Sequence, residues 1–276
     1  MIPYKYTYGL LKKLARNTNS LKNKIGMNML KSSLRDVKFC PFIQPIFSAN
    51  GESLVGCEVL LRIKRHDGYF TPAAWISELE KSDMMDSITC NLFEQVEGHF
   101  SQIKDALPEG FYFSFNLCAS QLQSERVLHA ARTFNRAYAG YATLVIEIVE
   151  RGVLHLDDTT IDTMDALNAE GIRFAIDDFG AGTSSLKYIE HTGFSTIKID
   201  RELTVALRGE LVYQKVIDAI VMLSRSLGLS VTAEGVENKE QMALLNKAGV
   251  STLQGYYLAR PMGMDMFVES YVLNGQ

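Results

Sequence analysis

The chain has 276 residues, of which 47% are hydrophobic and 22% are charged, a composition that excludes an intrinsically disordered chain and fits one large barrel or two modest domains. It contains no run of about 18 apolar residues and no apolar signal-peptide core, so we predict a cytoplasmic protein. The four cysteines are widely spaced and the five histidines follow no metal-ligand spacing. These spacings argue against a disulfide framework and against a zinc site.

Residues 1–38 differ in charge from the rest of the chain. They hold nine basic residues against one acidic residue, a net charge of +8, whereas the remainder holds 19 basic and 31 acidic residues, a net charge of −12. Leucines recur between the lysines at loosely helical spacing. We predict a basic amphipathic leader or linker, which could contact the inner face of a membrane or follow a membrane or sensor domain upstream. The alternative is a solvated helix packed on the next domain, and the acidic remainder disfavours binding to a nucleic-acid polymer.

From residue 39 to residue 276, β-like and helix-like segments alternate, which is typical of a parallel sheet with crossover helices. Helix signals lie between the strands, such as Asp157 before a segment that stops at Gly171, and Asn238 before one that stops at Gly249. Eight strands in about 240 residues predict a TIM-like (β/α)8 barrel, with an open doubly wound sheet as the alternative. The predicted strands are Phe42–Phe47, Leu54–Ile63, Phe111–Leu117, Thr143–Val149, Arg173–Phe179, Thr196–Ile199, Ser230–Ala233 and Thr252–Tyr257.

Polar residues lie at the ends of the predicted strands from the second onwards. In a barrel these ends form one ring, so the side chains would converge on one mouth, whereas an open sheet would spread them along an edge. Each could be a salt-bridge partner or a turn residue, and the pair Asp177-Asp178 alone could cap a helix. Burying so many acids without a counter-charge is costly, so we predict a divalent-cation site. The residues are Glu58, Asn116, Glu147, Asp177, Asp178, Lys198, Asp200, Glu234 and Gln254.

Oxygen ligands, without histidine or cysteine at the strand ends, favour Mg²⁺ or Mn²⁺ over zinc. Two such ions are suited to hydrolysis of a phosphodiester. Lys198 is placed to orient the attacking water or to balance phosphate charge, and Glu234 and Gln254 to hold water on the ions. The predicted ligands are Glu58, Asn116, Glu147 and Asp177 for the first ion, and Asp177, as a bridge, with Asp178 for the second.

Short motifs surround these residues in a fixed order. They are Gln44-Pro45-Ile46, Glu58-Val59-Leu60-Leu61-Arg62, Phe115-Asn116-Leu117, Glu147-Ile148-Val149-Glu150, Asp177-Asp178-Phe179-Gly180, Lys198-Ile199-Asp200, Ala233-Glu234-Gly235-Val236-Glu237 and Gln254-Gly255-Tyr256-Tyr257. From about residue 40 to 265, the chain resembles the EAL-domain family of bacterial cyclic di-GMP phosphodiesterases. The resemblance implies a barrel with an antiparallel first strand, a homodimer, a site for Mg²⁺ or Mn²⁺, and hydrolysis of cyclic di-GMP to linear pGpG.

Carried over position by position, the resemblance also implies residue roles. The implied metal residues are Glu58, Asn116, Glu147, Asp177, Asp178 and Asp200. The implied catalytic residues are Lys198, Glu58 and Glu234. Arg62 matches a phosphate contact, Gln44 a guanine-side contact, and Gln254 a residue of the outer substrate site. Glu150 matches the carboxylate that steadies the loop after Asp178, and Glu237 a supporting acid.

The chain departs from the family pattern at a few positions. Val59 replaces alanine and Val149 replaces threonine, and neither change removes a ligand. In the loop after Asp178, Ala181 and Thr183 replace a threonine and a tyrosine, in a segment that couples the metal site to the dimer interface of the family. Two alternatives therefore stand beside an active phosphodiesterase. One is a catalytically weak domain that acts as a cyclic di-GMP receptor or protein-interaction module, and the other is an unrelated metal-dependent barrel hydrolase.

Overall fold

The computed structural model describes residues 37–73, 75–149, 157–180, 189 and 193–273. Almost all of the predicted leader therefore lies outside the described residues. The chain divides into two compact units: the smaller includes Arg62–Met85, and the larger comprises Cys40–Leu61 and Asp86–Gln276. None of the helices in the described ranges has the length and apolarity that a bilayer span requires.

Eight strands form a closed barrel, in which the first strand pairs with the second at one side and with the last at the other. The strands are β1 Lys38–Ser48, β2 Leu54–Arg65, β4 Tyr112–Leu117, β5 Thr143–Val149, β6 Arg173–Phe179, β7 Phe194–Ile199, β10 Ser230–Ala233 and β11 Thr252–Leu253. The pairs β2–β4, β4–β5, β5–β6, β6–β7, β7–β10 and β10–β11 are parallel. Because β1 runs antiparallel to β11, the predicted TIM-like barrel with an antiparallel first strand is confirmed, and the open sheet is excluded.

Three short strands complete the described sheets. In the smaller unit, β3 (Gly68–Phe70) pairs with the end of β2. In the larger unit, β8 (Ala206–Leu207) and β9 (Glu210–Leu211) form a hairpin. Its two turn residues both have positive φ angles, 55° at Arg208 and 81° at Gly209, as a tight hairpin turn requires. The sequence analysis missed this hairpin, because strands of two residues leave no periodic pattern.

The last barrel strand is shorter than predicted: it ends at Leu253 instead of Tyr257. The backbone N–H of Val236 donates to the carbonyl of Gln254 at 3.1 Å, and Leu258 donates back to Gly255. A Cβ atom at Gly255 would lie 2.2 Å from the Val236 nitrogen. The strand therefore ends where a close backbone approach, possible only at glycine, starts a turn.

Helices connect most of the strands. They are α1 Ile76–Leu79, α2 Met84–Phe100, α3 Glu125–Ala137, α4 Asp158–Ala169, α5 Gln214–Leu227, α6 Lys239–Ala248 and α7 Met264–Phe267, followed by a π-helical segment, Val268–Leu273. The predicted starts of α4 and α6 are confirmed: Asp157 accepts from the Thr160 N–H, and Asn238 from the Gln241 N–H. The predicted stop of α6 at Gly249 is also confirmed, with a φ of 90°, the left-handed conformation in which helices commonly end.

The packing around β4 shows how the barrel directs polar residues inwards. Successive side chains of a strand point to opposite faces. On the outer face, Phe115 stacks on Phe93 of α2 with ring centroids 4.2 Å apart, and Phe113 meets Phe134 of α3 edge-on at 5.5 Å. These buried aromatic contacts fix the strand's rotation, so that Asn116 faces the barrel interior.

Candidate active site

The register of the strands explains why their polar residues meet. Asn116 on β4 lies opposite Glu147 on β5, and Asp177 on β6 lies opposite Val149, two residues further along β5 than Glu147. Glu234 and Gln254 each follow directly after the last residue of their strand. All of these positions are at the carboxyl ends of the parallel strands, the face on which the active sites of such barrels lie.

Lys198 lies at the centre of this site and contacts four carboxylates. Its ammonium nitrogen is 2.6 Å from Glu234 Oε1, 2.7 Å from Glu147 Oε2, 3.3 Å from Asp177 Oδ1 and 3.5 Å from Glu58 Oε2. The lysine side chain is only 2% exposed. Part of the counter-charge that the sequence analysis assigned to cations is therefore supplied by the chain itself, although one ammonium balances only one of the four acids.

Two further carboxylate contacts come from the side-chain amides of Asn116 on β4 and of Gln254 directly after β11. The Asn116 side-chain amide donates to Glu58 Oε1 at 2.7 Å, and the Gln254 amide donates to Glu58 Oε2 at 2.7 Å. Both oxygens of Glu58 are thus engaged. A hydrogen bond to a charged group is stronger than one between neutral groups, so these amides fix the orientation of the Glu58 carboxylate.

Ser114 also belongs to the site, and the sequence analysis missed it. Its hydroxyl donates to Glu147 Oε1 at 2.5 Å, while Glu147 Oε2 accepts from Lys198. A signal for Ser114 was present in the sequence: it stands two residues before Asn116, so both side chains point to the same face of β4. A serine in a strand, however, is too common to be recognised on that basis alone.

The shared environment shifts the pKa values of the acids in different directions. Burial disfavours the Glu58 carboxylate, but the Lys198 charge and the two amide donors hold its pKa below its ordinary value. Burial and the charge of Glu58 raise the pKa of Glu147 despite Lys198. Burial also raises the pKa of Glu234 to about 8 against the attraction of Lys198, with Asp177 adding to the rise. The pKa of Lys198 is raised because its four acid neighbours outweigh its burial.

Three carboxylates could hold a metal ion. Asp177, Asp178 and Glu234 each offer an oxygen within 4.8 Å of the others. Asp177 Oδ1 is buried, and apart from its 3.3 Å ion pair with Lys198 it has no hydrogen-bond partner among the described residues. Asp178 has a φ of 54°, an uncommon conformation outside glycine that is often found at functional sites. Three carboxylates around one buried oxygen that only an ammonium group contacts fit a hard divalent cation.

Other predicted site residues have different surroundings. Asp200 accepts from the backbone N–H of Glu202 at 2.7 Å, and the buried Gln44 donates to the carbonyl of Ala259 at 3.3 Å. Glu237 is exposed. Arg62 belongs to the smaller unit. Glu150 and the altered loop residues Ala181 and Thr183 lie outside the described residues, so their predicted roles stay predictions.

The raised pKa of Glu234 predicts how stability depends on pH without metal. Between the ordinary glutamate pKa of 4.5 and the folded value of about 8, folded Glu234 keeps a proton that the unfolded chain releases. Stability therefore falls as pH rises through this window. In EDTA, we expect the melting temperature to fall from pH 5 to pH 8. The fall should be smaller for Glu234→Gln, and an unchanged pH slope in that variant would contradict the assignment.

The chain forms a closed barrel with a reversed first strand, and acids surround a lysine inside it. These features define a TIM-type barrel protein whose candidate site lies at the carboxyl-end face of the barrel. The EAL domain model matches residues 27–261. The chain belongs to the EAL-domain family, as the motifs indicated.

Similar proteins agree with this membership. The chain is 34% identical over 236 residues to the probable cyclic di-GMP phosphodiesterase PdeG of Escherichia coli (strain K12), an alignment that covers 85% of this chain and 46% of PdeG. It is 30% identical over 259 residues to the cyclic di-GMP phosphodiesterase PdeL of the same organism, covering 93% of this chain and 72% of PdeL. The chain thus spans less than half the length of PdeG.

Among solved structures, the PaMucR phosphodiesterase in complex with c-di-GMP is similar to this chain with a TM-score of 0.75 and 27% identity. The match covers 88% of this chain and 99% of that one.

Proposed function

We propose that this chain is a metal-dependent phosphodiesterase that hydrolyses cyclic di-GMP to linear pGpG. The observation that carries the proposal is the cluster of four buried or half-buried acids around Lys198 in the barrel. The names of PdeG and PdeL supply the substrate class. We further propose that residues 39–276 form the phosphodiesterase domain and that it works in bacterial second-messenger signalling in the cytoplasm.

The residues that would hold Mg²⁺ or Mn²⁺ are Asp177, Asp178 and Glu234, with Glu58, Asn116 and Glu147 as further oxygen donors and Asp200 in their neighbourhood. Divalent ions bound there would lower the pKa of water and stabilise the negative charge that develops on the phosphate. The chemistry of the donors supports Mg²⁺ or Mn²⁺ over softer metals.

The chain's own side chains would position the groups that react. Asn116 and Gln254 hold Glu58 through both of its oxygens, and Lys198 supplies a buried positive charge near the phosphate and the attacking water. Arg62 and Gln44 remain predicted contacts to phosphate and guanine. Water adds across one P–O3′ bond of the cyclic dinucleotide, so the product carries a 5′ phosphate and a free 3′ hydroxyl.

Incubation of the purified chain with cyclic di-GMP tests the proposal. Chromatography should detect pGpG with Mg²⁺ or Mn²⁺ and none in EDTA. Absence of pGpG with both metals, at enzyme concentrations up to those of the substrate, would overturn the proposal. Nucleotide binding in Ca²⁺ without turnover would instead support the receptor alternative. Cleavage of other phosphoesters, with cyclic di-GMP left intact, would indicate an unrelated hydrolase.

We also propose a homodimer through an apolar surface at the β8–β9 hairpin and the start of α5. Leu207 is 64% exposed and Val212 51% exposed, and contiguous exposed apolar residues mark interaction sites. Leu207→Glu should convert a dimer into a monomer of 30.9 kDa in light scattering. The control Met222→Glu changes an apolar residue of α5 that is 70% exposed and should leave the dimer intact. A monomeric wild type, or a dimeric Leu207→Glu, would contradict the proposal.

For residues 1–38 we propose contact with an anionic membrane surface, supported by their net charge of +8. Basic residues near such a surface each contribute about 1 kcal/mol, and salt weakens the attraction. The chain should sediment with vesicles that contain phosphatidylserine, less so as salt is added. Deletion of residues 1–35 should abolish this binding. Equal binding by both proteins would rule the contact out.

A further inference from the structure

Next to the carboxylates, the interior of the barrel carries a layer of hydroxyl side chains. Barrels of this class usually fill their interior with large branched aliphatic residues. Here Thr232 of β10 and Thr252 of β11 share a hydrogen bond of 2.8 Å, and Thr196 of β7 bonds Ser230 at 2.8 Å. Ser114 of β4 is fully buried and lies beside Glu58 in the strand register. We call Ser114, Thr196, Thr232 and Thr252 the hydroxyl layer.

Within the hydroxyl layer, Ser114 donates its hydrogen bond to a carboxylate of the site. Its hydroxyl bonds Glu147 on the next strand instead of Glu58, its register neighbour on β2. Glu147 is itself only 1% exposed. The two oxygens of Glu147 therefore have different partners: Oε1 accepts from Ser114, and Oε2 accepts from Lys198.

This division fixes the plane of the Glu147 carboxylate. The last side-chain torsion of a glutamate is broad and poorly restrained by itself. A short hydrogen bond at Oε1 of this buried carboxylate restrains that torsion and keeps Oε2 directed at the centre of the site. Without the serine hydroxyl, the carboxylate could turn, and Oε1 would be a buried acceptor without a partner.

We infer that Ser114 is a positioning residue, whose hydroxyl orients Glu147 for binding of the divalent cation. The inference rests on the proposed function, because it takes Glu147 as a metal ligand. Hydrogen-bond partners of metal ligands typically contribute about 10-fold to 100-fold to metal affinity. Ser114 does not touch the reacting atoms, and its effect on metal binding acts only through Glu147.

The test measures Mn²⁺ affinity by isothermal titration calorimetry, in the absence of nucleotide. Ser114→Ala should raise the dissociation constant of Mn²⁺ by about tenfold, whereas Ser114→Thr, which keeps a hydroxyl, should bind more tightly than the alanine variant. The matched control is Thr232→Val, which removes a hydroxyl from the same layer but one that bonds Thr252. Its Mn²⁺ affinity should stay within about twofold of wild type.

The outcomes separate this inference from the proposed function. Wild-type affinity in Ser114→Ala, an equal loss in Thr232→Val, or no Mn²⁺ binding by the wild type would each overturn it. If Mn²⁺ binds as expected but cyclic di-GMP is not cleaved, the proposed function fails while the positioning role is supported. Should Ser114→Ala not fold, Ser114→Cys gives the same comparison, because a thiol of similar size is a weak donor.

Discussion

Asp177→Asn is expected to reduce the hydrolysis of cyclic di-GMP by about a thousandfold, a loss of about 4 kcal/mol of transition-state stabilisation. Asparagine keeps the size of the side chain and one oxygen but removes the negative charge. Asp177 Oδ1 is buried and, among the described residues, its one polar contact is the 3.3 Å ion pair with Lys198, and Asp177 belongs to the group of three acids that could hold a metal ion. The initial rate of pGpG formation, at saturating Mg²⁺, measures the effect.

The matched control for this variant is Asp165→Asn. Asp165 is an exposed acid on α4, so the same chemical change there should leave the rate within about twofold, as is usual for surface substitutions. Circular dichroism should show that both variants are folded. A rate for Asp177→Asn above about a tenth of the wild-type rate would contradict its role as a metal ligand.

Lys198→Met should have the largest effect on stability. The ammonium group contacts four carboxylates within 3.5 Å and its side chain is 2% exposed. Methionine fills the space but leaves the acids without their counter-charge, and breaking such a buried pair costs about 3–5 kcal/mol. We expect this loss in urea unfolding of the metal-free protein. Hydrolysis should also be lost, because the charge near the phosphate is removed.

Added Mn²⁺ distinguishes this electrostatic explanation from a packing defect. A dication bound by the same acids replaces part of the missing charge, so Mn²⁺ should raise the melting temperature more in Lys198→Met than in the wild type. The control Lys215→Met alters an exposed lysine of α5 and should change stability by less than about 0.5 kcal/mol. An unaltered free energy of unfolding for Lys198→Met would refute the counter-charge role.

Much of the fold could be predicted because its signals are local. The alternation of strand and helix segments predicted the eight barrel strands, and a carboxylate or amide at each strand end predicted which residues would meet. Asp157 and Asn238 predicted two helix starts, because a cap side chain accepts a hydrogen bond from the backbone N–H three residues later. The β8–β9 hairpin could not be predicted, because its strands are too short to show periodicity. The early end of β11 could not be predicted either, because it depends on a backbone contact with Val236.

The centre of the site shows where this local reasoning ends. Lys198 was predicted to orient water or to balance phosphate charge, and the structure adds contacts with four carboxylates that spacing along the chain does not predict. Ser114 was overlooked although it bonds Glu147, a residue 33 positions away. A serine in a strand carries no mark of its partner, because the partner is set by the register and tilt of the neighbouring strand.

By itself, then, the sequence determined the barrel class, the reversed first strand through its family motifs, and the set of polar residues at the strand ends. The barrel class and the strand-end residues follow from spacing along the chain, whereas the reversed first strand was implied only by the resemblance to the family. Only the tertiary structure decided which side chains touch: the bond between Glu58 and Gln254 joins residues 196 positions apart, and Lys198 contacts acids that lie on, or directly after, four different strands. Contacts of this kind depend on barrel closure, which brings the first and last strands together.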